Sequence, residues 1–234
     1  MTRINLDKPY RIIDIGCGPG NSTNILKLRW PEAELIGLDD SEAMIQQAKE
    51  KYKDIKWVLA DATGDLSSLG TFDIVFSNAA IQWMPNHPAL IKNMFKLLNK
   101  GGVLAVQVPY TEEMPIHTDL QKLITRPKWR DFFVGLRAGY STHEPSYYYD
   151  ILSDLSQDIN LWVTNYHHIM EDHRALVKWY SGSGLRPYLD SIYDEEERAD
   201  FCKEYEELLQ ASYPLQKSGK LLFPFTRIFF MALK

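Results

Sequence analysis

The sequence predicts an α/β protein built on a parallel sheet, and three observations carry that prediction. From Arg11 to Val108, short β-branched runs alternate with helix-patterned segments, the rhythm of strand–helix–strand units. The strand runs are almost continuously apolar, as strands covered on both faces are. A glycine-rich turn leaves the first strand and opens the first helix.

Composition sets the outer limits. The 234 residues are enough for one large domain or a core with a smaller appendage. With 45% hydrophobic and 24% charged residues, the chain has ordinary globular composition, which excludes disorder throughout. Its 26 Lys+Arg against 31 Asp+Glu leave a net charge of −5, which argues against nucleic-acid binding through a general positive field. The first residues lack a signal pattern, and no run approaches the ~18 apolar residues that span a bilayer, so a cytoplasmic protein without membrane partners is expected. Two cysteines, Cys17 and Cys202, are too few for a disulfide framework and are expected to be reduced thiols.

Strands are expected at 11–15, 34–38, 56–59, 73–77 and 103–108. Ser41 is placed to cap a helix whose Met44, Ile45, Ala48 and Tyr52 share one face. A further helix should begin near Pro88 and stop at Gly101-Gly102. Beyond Val108 the sequence turns irregular and aromatic, and ten of the thirteen tyrosines lie past residue 139. A boundary is expected near 110, dividing a core over 1–110 from a remainder over 111–234. The second part reads as a helix at 147–156, a strand at 161–170, mostly helix over 173–213 and a final strand at 221–233 interrupted by Pro224. The late strands should return to the first sheet.

The most informative stretch is Asp14-Ile15-Gly16-Cys17-Gly18-Pro19-Gly20-Asn21. Glycines there let the backbone approach a ligand and adopt conformations that a side chain forbids. Asp39 ends the second strand nineteen residues past Gly20, where an acid can accept hydrogen bonds from both hydroxyls of a ribose. Asp61 follows the third strand, and Asn78 ends the fourth. Polar residues at the carboxyl ends of successive parallel strands point into one crevice, the ligand site of open α/β sheets. Dinucleotide enzymes usually show G-x-G-x-x-G; here the third glycine comes one position early and Asp14 precedes the motif. An acid at that point suits an amino group better than a phosphate, so D-x-G-x-G-x-G favours S-adenosylmethionine over a nicotinamide dinucleotide.

This motif, with Asp39, Asp61 and Asn78, resembles that of class I S-adenosylmethionine-dependent methyltransferases. Blocks such as FSNAAIQWMPNH, SYYYDILS, SGSGLRPYLD and the terminal LLFPFTRIFF resemble, from about residue 11 to the C-terminus, the trans-aconitate methyltransferases. The resemblance implies a Rossmann-like, seven-stranded, mostly parallel sheet with a reversed last strand and helices on both faces. It also implies a helical substrate cap, and methyl transfer to a carboxylate of trans-aconitate or a similar small polycarboxylate. Carried over by motif, Gly16, Gly18, Asp39, Asp61, Ala62 and Asn78 contact the cofactor, joined by Asp14, while Gln82 and Trp83 lie between cofactor and substrate. Family members carry an additional N-terminal helix that helps close over the cofactor. Only ten residues precede Arg11 here, so weaker cofactor binding and a more open site are expected.

A carboxylic acid of pKa ~4 is ionised at pH 7, so no catalytic base is expected. What a polycarboxylate needs is cationic recognition, for which the planar fork of arginine is suited. Arg186 and Arg227 are the candidates, each weighed against an ion pair, for Arg186 with Asp190. Tyr148 and Tyr149 can donate phenolic hydrogen bonds or pack as core. Trp83 can cover a sulfonium or simply wall the crevice. His167 and His168, adjacent on a strand, face opposite sides, so at most one enters a pocket, and no metal site is expected. The run Asp194-Glu195-Glu196-Glu197 reads as a solvated helix start. Two other activities fit the same residues: a methyltransferase of another acid, such as a malonyl thioester, and a non-catalytic S-adenosylmethionine-binding module.

Overall fold

The computed structural model describes residues 3–136 and 141–234. It contains β1 (Arg11–Ile15), α1 (Asn21–Arg29), β2 (Glu34–Asp39), α2 (Glu42–Lys51), β3 (Lys56–Leu59), β4 (Phe72–Asn78), α3 (His87–Lys96) and β5 (Leu98–Pro109). There follow α4 (Pro115–Ile124), α5 (Pro145–Ser153), β6 (Ile159–Met170), α6 (His173–Ser181), α7 (Arg186–Asp190), α8 (Glu195–Ser212) and β7 (Leu221–Leu233). The seven strands form one sheet in the order β3-β2-β1-β4-β5-β7-β6, with helices on both faces.

The first five strands are parallel, with Ile13 of β1 opposite Ile36 of β2 and Val75 of β4. Residues of both parities on them are buried: Ile12, Leu35, Ile74 and Val103 pack with Leu26 and Trp30, while Ile13, Ile36, Val75 and Leu104 are equally enclosed. That double burial is why these runs read as continuously apolar. β7 runs against β5: Lys234 bonds Gly101 and Gly102 at the start of β5, and Thr226 accepts from Tyr110 just beyond its end.

Two expectations at element ends are corrected. The helix beginning near Pro88 does not reach Gly101-Gly102 but ends at Lys96. Leu98 already pairs with Phe72, and the Asn99 amide donates to the Asp73 carboxylate at 2.8 Å, so 98–102 is drawn into the sheet. Pro224 does not interrupt the last strand, which runs through it. Since Tyr110, already past β5, pairs with Thr226, the end of β7 holding Pro224 lies beyond β5, where a missing N–H costs little.

The chain divides into two compact units, Met1–Pro109 with His143–Val163 and Ile228–Lys234, and Tyr110–Thr142 with Thr164–Arg227. The first contains β1–β5. The second has its own core, in which Ile116, Leu120 and Leu123 of α4, Leu176, Val177 and Tyr180 of α6, Phe201, Tyr205 and Leu209 of α8, and Phe223 of β7 are buried. The Tyr205 hydroxyl donates to the carbonyl of Ile116, and the Tyr213 hydroxyl accepts from the Ile116 N–H at 3.1 Å. Among the described residues, no helix is long and apolar enough to cross a membrane.

Candidate functional site: the crevice at the strand ends

The loop after β1 is shaped by three glycines in the left-handed region, Gly16, Gly18 and Gly20, at φ 69°, 55° and 85°. Two differ in what surrounds them. A Cβ on Gly16 would lie 2.2 Å from that of Ala80, so the backbone there is pressed against the segment after β4. A Cβ on Gly18 would meet nothing within 4 Å, leaving an open cradle on that side. The N–H groups of Gly16 and Cys17 donate to the carbonyl of Leu38 at 2.8 and 2.9 Å, tying the loop to the end of β2.

Asp14 is fully buried beneath this loop. Its Oδ2 accepts from the hydroxyls of Ser22 and Thr23 on α1 at 2.7 and 2.6 Å, while Oδ1 is enclosed with no partner. Burial raises its pKa to about 6; the Thr23 and Ser22 hydrogen bonds oppose that rise, and the charge of Asp39 adds to it. Burial also pushes the Cys17 thiol far above its ordinary value, so Cys17 stays protonated at neutral pH.

Asp39, half-buried at the end of β2, accepts from the N–H of Gly18 at 2.8 Å and of Ser41 at 3.0 Å. Each carboxylate oxygen can accept more than one hydrogen bond, so the group retains acceptor capacity toward the crevice. The Ala60 N–H donates to the Asp39 carbonyl, which brings the end of β3 alongside. Just beyond, Asp61 is exposed and accepts from the N–H and hydroxyl of Thr63 at 2.8 and 2.7 Å; these bonds hold its pKa below the ordinary carboxylate value. Ala62 is buried beside it.

Asn78 is exposed at the end of β4, and the segment after it is strained. Ala79 and Asn86, at φ 53° and 54°, are the two non-glycine residues with positive φ among the described residues. They bracket a short 3-10 turn, Ile81–Trp83. Left-handed backbone costs a non-glycine residue about 1–2 kcal/mol, a cost met most often at ligand sites. The turn carries Gln82 and Trp83. Gln82 is buried, its Nε2 donating to the Ala79 carbonyl at 2.6 Å and its Oε1 enclosed without a partner, whereas Trp83 is partly exposed.

His87 anchors this turn, a role with no local signature because one partner is distant in sequence and the other lies in irregular backbone. Its Nε2 meets the Ile81 carbonyl at 2.8 Å, and its Nδ1 meets the Tyr148 hydroxyl at 3.2 Å. A carbonyl only accepts, so Nε2 carries the proton, Nδ1 is the acceptor, and the Tyr148 hydroxyl donates. Burial lowers the His87 pKa, so the ring is neutral.

The structure therefore brings together Asp14, Gly16, Gly18, Asp39, Asp61, Ala62, Asn78, Gln82 and Trp83 along the carboxyl ends of four adjacent parallel strands. Tyr148 is fully enclosed, its ring stacked on His87 and Phe230 at 5.8 and 5.1 Å, while the neighbouring Tyr149 is exposed. Arg186 and Arg227 belong to the second unit. Arg186 is 62% exposed and lies 3.5 Å from Asp190. The Arg227 guanidinium sits 4.8 Å from the Phe225 ring and 6.0 Å from that of Tyr166. Among the described residues, no cluster of three metal-ligating side chains occurs.

A family model described as "Methyltransferase domain" matches residues 6–174. The chain belongs to the class I S-adenosylmethionine-dependent methyltransferases. This methyltransferase is 36% identical over 234 residues to a trans-aconitate 2-methyltransferase of Azoarcus sp. (strain BH72), covering 100% of this chain and 91% of that one. It is 39% identical over 238 residues to a trans-aconitate 2-methyltransferase of Methylobacterium radiotolerans, covering 100% and 90%. Its fold is similar to that of the plantazolicin methyltransferase BpumL, solved with a pentazolic desmethylPZN analog and SAH. The TM-score is 0.54 at 14% identity, over 97% of this chain and 77% of that one.

The methyltransferase uses S-adenosylmethionine, and the crevice fits it. The enclosed Asp14 Oδ1 is an acceptor awaiting a donor, the space over Gly18 admits a ligand against backbone N–H groups, and Asp39 presents an acid at the strand end.

Proposed function

We propose that this methyltransferase esterifies a carboxylate of trans-aconitate or a closely similar small polycarboxylate, acting in the cytoplasm. The observation that carries the reading is the similarity along the whole chain to proteins named trans-aconitate 2-methyltransferase, at 36% and 39% identity.

The donor supplies, when bound, an electrophilic methyl group on a positively charged sulfur. The acceptor oxygen of an ionised carboxylate is already nucleophilic at neutral pH, so the chain has no proton to remove. His87, which pins the turn carrying Gln82 and Trp83, is committed at both nitrogens to Ile81 and Tyr148. Asp39 fixes the sugar, Asp61 and Ala62 line the base, and Asp14 with the Gly16–Gly18 backbone holds the amino-acid end, where Asn78 at the end of the neighbouring β4 also contacts the cofactor. Gln82 and Trp83, on the strained turn, position the acceptor and exclude water. Alignment of this kind contributes roughly 7–11 kcal/mol in favourable cases. Arg186, Arg227 and the phenol of Tyr149 are the remaining candidates for recognising the acid; the enclosed Tyr148 hydroxyl, a candidate from the sequence, is committed to His87 instead.

Incubation with S-adenosylmethionine and trans-aconitate, followed by mass spectrometry, tests donor, acceptor and reaction together. A monomethyl ester formed with one equivalent of S-adenosylhomocysteine is expected. Methylation of a malonyl thioester but of no di- or tricarboxylate would overturn the choice of acceptor, and cofactor binding without turnover on any acid would overturn the enzyme.

A further inference from the structure

We propose that His168 and Arg227 form a carboxylate-binding subsite within the second unit. The inference takes the identity of the acid from the proposed function, while the subsite itself stands on its own geometry.

Both side chains converge on the same aromatic wall. The His168 imidazole lies 5.8 Å from the Trp179 ring, 6.1 Å from Phe223 and 6.3 Å from Phe225. The Arg227 guanidinium lies 4.8 Å from that same Phe225 ring. Trp179 closes the wall, 5.2 Å from Phe225 and 5.5 Å from Phe223. Phe225 and Arg227, two apart on β7, share one face of the strand, and the contact of the His168 ring with Phe225 places it on that side as well.

What this wall leaves unsatisfied is specific. The His168 Nε2 is shielded from solvent and has no hydrogen-bond partner. An enclosed polar atom without a partner costs a protein free energy unless a ligand completes it. Burial, and then the nearby Arg227 charge, lower the His168 pKa, so a neutral imidazole stands beside the guanidinium. With the ring proton on Nε2, imidazole and guanidinium both donate, and a carboxylate oxygen is an acceptor that serves both. The surrounding rings exclude water and strengthen that pairing. A flat, conjugated polycarboxylate matches such a wall better than a flexible acid.

The test uses the full chain. Imidazole 15N resonances are followed during titration with trans-aconitate, with citrate and succinate for comparison and the trimethyl ester of trans-aconitate as the uncharged control. His168→Phe, close in shape to the native ring, assigns the His168 signal. The His168 resonance is expected to move with the acid and not with the ester. In turnover, His168→Phe is expected to raise KM for the acid about tenfold or more, as loss of a charge-assisted hydrogen bond does. The Kd for S-adenosylmethionine should stay within about twofold of wild type. His168→Gln, which restores a donor, should recover part of the loss. An imidazole unmoved by all three acids, or an unchanged KM in His168→Phe while wild type forms the ester, overturns the subsite and leaves the proposed function standing. A His168 signal that responds to the acid in a protein forming no ester does the reverse.

Discussion

Asp39 uses its two carboxylate oxygens on the N–H groups of Gly18 and Ser41, so one side chain shapes the glycine loop and faces the crevice. Asp39→Asn should therefore leave the fold intact by circular dichroism but raise the Kd for S-adenosylmethionine about tenfold or more in calorimetry, because hydrogen bonds to a charged group contribute ~1.5–3 kcal/mol. Asp14 governs stability instead. Its pKa rises from 3.8 unfolded to about 6 folded, so the native state holds the proton more tightly. Stability must then fall as pH rises from about 4 to 6, by about 3 kcal/mol, and the loss persists above that range. Urea unfolding at pH 4 and pH 7 should show this decrement in wild type and not in Asp14→Asn; equal decrements in both would place the ionisation elsewhere. At this scale the sequence was highly legible for the cofactor loop, since glycines in a strand-to-helix turn announce a backbone requirement. It was silent on His87, whose defining partner lies 61 residues away.

Among the elements, the segment from β4 to α3 carries the most consequence. Ala79 and Asn86 hold left-handed backbone at either end, and the Ile81–Trp83 turn between them is pinned by His87, itself held by Tyr148 of α5. Tyr148→Phe keeps the ring stack but leaves the buried His87 Nδ1 without a donor. It is expected to destabilise the protein by about 1–3 kcal/mol in chemical denaturation. A change within ~0.3 kcal/mol would mean that the hydroxyl contributes nothing. Element starts were easier to read than element ends. Ser41 caps α2 as expected, its hydroxyl accepting from the Met44 N–H at 3.4 Å, because a cap is a local interaction. The end of α3 was not local: pairing of Leu98 with Phe72 took residues that a helix pattern would have kept. The region 173–213 resolves into α6, α7 and α8, divided around Gly182–Gly184 and before Asp194, which caps α8 by accepting from the N–H groups of Glu196 and Glu197.

Across the whole molecule, stability should follow the order of the sheet. β1 and β4 are interior strands whose Ile12, Ile13, Ile74 and Val75 have no exposure, whereas β3 is a four-residue edge strand with no fully buried residue. Hydrogen exchange followed by mass spectrometry should find the slowest amides in β1, β4 and β5 and faster exchange in β3. Uniform protection across all four would contradict it. The sequence by itself determined the parallel strands, the loop after β1 and the acids at the strand ends, because burial on both faces and left-handed turns leave periodicities and glycines that neighbouring residues express. Only the tertiary structure decided that Tyr148 is enclosed while Tyr149 is not, and that Arg186 lies beside Asp190 in solvent. It alone also showed that the buried face of β7 passes from Leu221, Phe223 and Phe225 to Ile228, Phe230 and Ala232. These features depend on which distant surfaces meet, and a local pattern of apolar and polar residues does not carry that information.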